Sequence, residues 1–93
     1  MLDQNKVDAV GEYLRSEFPD STVEDSYDSD RQAYVFHISN EGTTCFTIVS
    51  NDFLNDHDPS DIGKALKSFL LAEHLREMAG AGVFVTKTGL EFP

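Results

Sequence analysis

The chain predicts an α+β domain in the order α-β-β-β-α-β-β, with two helices packed on one face of an antiparallel sheet. Three observations carry that expectation. Apolar residues recur at spacings of three and four through residues 4–18 and again through residues 58–79. Strict two-residue alternation marks the segments on either side of Asn40-Glu41-Gly42. No apolar run approaches the ~18 residues that would signal a membrane span. With 93 residues, of which 40% are hydrophobic, residues 1–93 suffice for a single small acidic domain with one modest core.

The first helix is carried by Val7, Val10, Leu14 and Phe18, with Ala9 and Tyr13 widening the stripe. Asp3 is placed to cap it, and Pro19 ends it by pushing the preceding residue out of helical backbone geometry. Residues 22–27 alternate weakly around Asp25 and read as a short edge strand whose charges discourage edge-to-edge pairing. Asp28-Ser29-Asp30 follows as a turn.

Two strands come next. Tyr34, Phe36 and Ile38 share one face of residues 32–38, and Thr44, Phe46 and Ile48 share one face of residues 43–50. A three-residue loop closing on a left-handed Gly42 would match these two faces, pairing Phe36 with Phe46. The same register pairs Ala33 with Val49, Val35 with Thr47 and His37 with Cys45 on the other side of the sheet. That second face is neither charged nor fully apolar, unlike a side meant only for water. The six residues Ala33, Val35, His37, Cys45, Thr47 and Val49 are therefore the candidate partner-binding surface.

Asn51 to Asp58 reads as a loop or short helical turn with Phe53 and Leu54 tucked inward. Asp58-Pro59-Ser60-Asp61 has the composition of a helix start. The helix is expected to continue to about Ala79, capped by Gly80 or Gly82. A closing hairpin over Lys87-Thr88 joins residues 83–86 to residues 89–92.

Seventeen acidic residues against seven Lys and Arg give a net charge of −10. The excess falls in two blocks. Residues 1–30 hold nine acids against Lys6 and Arg15, and residues 51–61 hold four aspartates with no base. Such a field repels phosphate backbones, so direct nucleic-acid binding is not expected. Asp25, Asp28, Asp30, Asp52, Asp56 and Asp58 mark the acidic surface, which can keep the chain dispersed, suit a high-salt habitat, or dock on a basic partner. As a metal site the second block departs from the EF-hand spacing, and aspartates at a helix start already serve capping and dipole roles.

Chemistry-bearing motifs are sparse. One cysteine allows no internal disulfide and no multi-cysteine zinc site. His37 beside Cys45 would be a thiol–imidazole pair, but no third group orients it. There is no phosphate-binding glycine loop and no nucleophile elbow, so neither catalytic residues, nor a metal, nor a cofactor are assigned. The element order resembles the opening of the small acidic chaperones of type III secretion, which implies dimers that bind segments of partner proteins. The opening residues lack a signal-peptide pattern. The expectation is a cytoplasmic, non-enzymatic interaction module whose partner is a protein or a second copy. The alternative is an acidic regulator that occupies the basic surface of a DNA-binding protein.

Overall fold

A computed structural model describes residues 4–77 and 82–91. The first apolar stripe forms helix α1, Gln4–Glu17, burying Val7, Val10, Tyr13 and Leu14. The Phe18 N–H still donates to the Leu14 carbonyl at 2.9 Å before Pro19 turns the chain. Asp3, the expected cap, lies outside the described residues. Strands β1 (Thr22–Asp28), β2 (Ala33–Asn40) and β3 (Thr43–Ser50) then form an antiparallel meander. Three short helices follow, α2 (Asn51–Asn55), α3 (Pro59–Ser68) and α4 (Leu71–Glu77), before β4 (Gly82–Thr86) and β5 (Gly89–Glu91). The sheet order is β1-β2-β3-β4-β5. The α+β class and the element order are as the sequence predicts, with three departures in detail.

The β2–β3 register is the first. Asn40 pairs with Thr43, so the loop has two residues, Glu41 and Gly42, and both have positive φ (43° and 85°). That is the type I′ turn, whose twist matches the flanking strands. One residue fewer in the loop shifts every pair: Phe36 lies opposite Thr47, His37 opposite Phe46 and Val35 opposite Ile48. The faces of β3 are therefore exchanged relative to expectation. Strand β3 is apolar on both sides, with Cys45 and Val49 on one and Phe46 and Ile48 on the other, so hydrophobic alternation does not decide its register and turn geometry does.

The second departure is a parallel seam. Strand β4 runs parallel to β3, pairing Thr47 with Val83 and Val49 with Val85, while β4 and β5 are antiparallel. The three helices between β3 and β4 carry the chain back to the same end of the sheet, which a parallel neighbour requires.

The third is the break in the long helix. Leu70, half exposed at 51%, takes a left-handed φ of 59° between α3 and α4. At ~100° per residue, Leu71 and Leu75 would lie about half a turn away from Ile62 and Leu66 on one straight helix. The turn at Leu70 lets both pairs face the core, and all four are fully buried. Gly80 lies outside the described residues, and Gly82 belongs to β4 rather than to a helix cap.

One core joins these parts. Val7, Val10 and Leu14 of α1, Phe53 and Leu54 of α2, Ile62 and Leu66 of α3, and Leu71, Ala72 and Leu75 of α4 cluster with Phe36, Ile38, Cys45, Val49, Val83 and Val85. All four helices thus cover the same side of the sheet. The amide of Ala72, at the start of α4, donates to the Tyr13 hydroxyl at 3.1 Å. A phenol from α1 thereby accepts from an amide of α4's first turn, one of those that lack a partner within the helix. Thr47, a buried polar side chain facing this core, donates its hydroxyl to the Val83 carbonyl at 2.8 Å across the parallel seam. Among the described residues no helix is long and apolar enough to cross a membrane.

Candidate functional site

The side of the sheet away from the helices is the part of the molecule with unexplained apolar character. Strand alternation places Thr22, Glu24, Ser26 and Asp28 of β1 on it, because Val23 packs on the core. Ala33, Val35 and His37 of β2 follow, then Phe46 and Ile48 of β3, Phe84 of β4 and Glu91 of β5. Val35, Ile48 and Phe84 sit directly opposite one another across three strands, an apolar row through the centre of the face. Ile48 is only 7% exposed although no helix among the described residues lies over it; its neighbours in the row shield it. Val35, Phe46 and Phe84 are half-buried.

A second row holds His37, Phe46 and Gly82. The Phe46 ring lies over the backbone of Gly82, so closely that a methyl group there would run into it. His37 is exposed, and its ring centroid is 6.0 Å from that of Phe46. Beyond Phe84 the face dips into a hollow of about 290 Å³, where Arg31 and Glu91 border Ala33, Ile48 and Phe84.

Of the six residues expected to share this face, Ala33, Val35 and His37 do. Cys45, Thr47 and Val49 point the other way, into the core, and Phe46, Ile48 and Phe84 take their place. The signal that identifies Phe46 and Ile48 is the Glu41-Gly42 pair read as a two-residue loop, whereas Phe84 is placed by the parallel pairing of β4 with β3. Histidine and cysteine are consequently separated: His37 lies on the open side, whereas Cys45 pairs with Ile38, is 7% exposed and has its thiol pKa pushed up by burial. The thiol–imidazole pair does not exist.

The acidic residues also divide. Glu24 and Asp28 border the open face from β1, whereas Asp25 lies on the helix side of that edge strand. Asp28 shapes its own turn, accepting from the amides of Asp30 (3.1 Å) and Arg31 (3.3 Å) and pairing with Arg31 Nε at 3.5 Å. Asp30, Asp52, Asp56 and Asp58 are exposed. Asp58 occupies the N-cap position of α3 in extended geometry, but its side chain makes no capping hydrogen bond. Ser50 caps α2 instead, accepting from the Phe53 amide at 3.2 Å. No group of three or more His, Cys, Asp or Glu among the described residues is placed to hold a metal ion.

Other hollows lie on the helix side, lined by described residues. One, about 470 Å³, runs between α1 and α3 beside Lys64 and Lys67. Another, about 280 Å³, lies over Cys45 beneath Arg76, whose guanidinium stacks 4.8 Å above the Phe18 ring and reaches the Glu17 carbonyl at 2.8 Å. The first gathers Ser16, Ser60, Glu12 and the two lysines, but no hydrogen bond among the described residues pairs either serine with one of the charged groups; the second holds Cys45 with no carboxylate or imidazole in its lining. No protein-family model, no curated protein and no solved structure matches the chain.

Proposed function

We propose that this chain is a non-enzymatic, cytoplasmic protein-interaction module that docks a protein partner on the open face of its sheet. One observation carries the reading: Val35, Ile48 and Phe84 form an apolar row on a side that no helix of the described residues covers. A sheet face meant only for water carries charge at such positions, and contiguous apolar surface on a small domain marks an interaction site. Half-buried aromatics such as Phe46 and Phe84 are the residue types that anchor interfaces, because they bring much contact area with few rotors.

The test is made on a partner purified after capture on the immobilised chain, with affinities measured by titration calorimetry. Val35→Asp and Phe84→Asp are expected to lower affinity by at least tenfold while leaving the far-UV circular dichroism of the free chain unchanged. Surface aspartates introduced on the exposed side of α3, as at Ser68, should have no such effect. If both face variants bind as tightly as wild type, the open face is not the docking surface and the reading fails.

A further inference from the structure

We infer that the partner's contact surface is basic, with lysine or arginine side chains flanking an apolar strip that lies along Val35, Ile48 and Phe84. This rests on the docking reading above and adds the partner's charge. The apolar row is bordered by carboxylates on both lateral sides: Glu24 and Asp28 on β1, and Glu91 on β5. The turns at the strand ends add Asp30 and Glu41, both exposed. Arg31, paired with Asp28, and Lys87 in the β4–β5 turn offset two of these five carboxylates, which leaves the border with a net charge of −3. The frame is therefore anionic around an uncharged centre, within a chain of net charge −10. A partner that buries the centre must bring groups of opposite sign to the frame, or the carboxylates lose water with nothing in exchange.

The same frame disfavours a second copy. Two identical faces stacked about a two-fold axis along the strands bring β1 of one over β5 of the other, so that Glu24 and Asp28 meet Glu91. An axis across the strands sets β1 over β1, carboxylate against carboxylate. Either arrangement of a self-complementary interface concentrates like charge at its border.

Three ten-residue peptides with blocked ends serve as probes, each a central six-residue Val-Ser repeat with two lysines (Val-Lys), two glutamines (Val-Gln) or two glutamates (Val-Glu) at either end. In an extended conformation each presents the same apolar side, and the variable residues fall at both ends of the strip, where the carboxylates lie. Binding is followed by calorimetry and by backbone amide shifts of the full chain. The Val-Lys peptide is expected to bind with shifts at Val35, Ile48 and Phe84, to weaken about tenfold between 50 and 500 mM salt, and to weaken several-fold with Glu24→Gln plus Glu91→Gln. Equal binding of the Val-Gln peptide overturns the charge inference and leaves apolar docking standing. Lysine-peptide shifts confined to β1, and unaffected by Phe84→Asp, would sink the docking surface itself. No binding of the lysine peptide overturns the inference, and a dimer by light scattering at 50 mM salt that Phe84→Asp converts to monomer assigns the face to a second copy instead.

Discussion

Replacing Tyr13 by Phe removes one oxygen atom and tests how α1 and α4 are joined. The Tyr13 hydroxyl is the partner of the Ala72 amide at 3.1 Å, and that amide lies at the start of α4, where intrahelical acceptors are lacking. Ala72 is fully buried and Tyr13 is 9% exposed, so water does not readily replace the lost acceptor. An unsatisfied buried donor costs about 1–3 kcal/mol. The ring and its packing are retained, so little apolar burial is lost. For a domain of this size each 1 kcal/mol lowers Tm by about 4–8 °C. Urea unfolding followed by circular dichroism should therefore show a clearly lower midpoint at an unchanged slope, and the Ala72 amide should exchange faster with solvent. Alkaline pH supplies a second readout. Burial raises the Tyr13 pKa above its ordinary value near 10, against an opposing pull from the Ala72 hydrogen bond. The unfolded chain therefore ionises this phenol first. The stability it contributes is complete below pH ~10 and is lost as pH rises through the folded-state value. The Phe variant lacks that loss, so the gap between the two proteins should close at high pH. An unchanged midpoint at neutral pH together with unchanged exchange at Ala72 would refute that hydrogen bond.

Two further outcomes are expected. Glu41 occupies the first left-handed position of a type I′ turn, a site that asparagine adopts at lower cost; Glu41→Asn should raise stability by roughly 0.5–1 kcal/mol in urea unfolding, and a lower midpoint would contradict the two-residue loop. The Cys45 thiol is buried and its pKa raised above its ordinary value, so a thiol reagent at neutral pH should label native protein at least a hundredfold more slowly than urea-unfolded protein; equal rates would contradict its place in the core.

The parts of the fold that the sequence discloses are those where one local signal suffices. Val7, Val10 and Leu14 can share a face only in a helix, and Tyr34, Phe36 and Ile38 only in a strand. The β2–β3 hairpin was legible as a hairpin but not in its register. Glu41 gives no strong left-handed signal, and β3 offers an apolar choice on either face. The candidate surface was half legible for the same reason: Ala33, Val35 and His37 follow from β2 alone, whereas Phe46, Ile48 and Phe84 depend on how β3 and β4 lie beside it. The break at Leu70 left no trace as a glycine or proline. It shows only in the phase of the stripe, where Leu71 and Leu75 stand apart from Ile62 and Leu66. The parallel seam is a matter of which strands meet, and strand order is not encoded in the local pattern of either one.

That seam also imposes an order of assembly. Contacts within the β1–β3 meander join residues close in sequence, and each hairpin closes a short loop. The seam joins residues 36 apart, as between Thr47 and Val83, and closing that span costs more chain entropy. The meander can therefore form first, while β4 joins only after α2, α3 and α4 have brought the chain back. An interaction made after the rate-limiting barrier governs how long the native state lasts rather than how fast it is reached. Truncating Val83 to alanine should accordingly steepen loss of the folded state, with faster unfolding and nearly unchanged refolding in stopped-flow measurements. The β3–β4 pairing then acts as a latch on the native lifetime, and slower refolding of that variant would instead place the seam inside the folding nucleus.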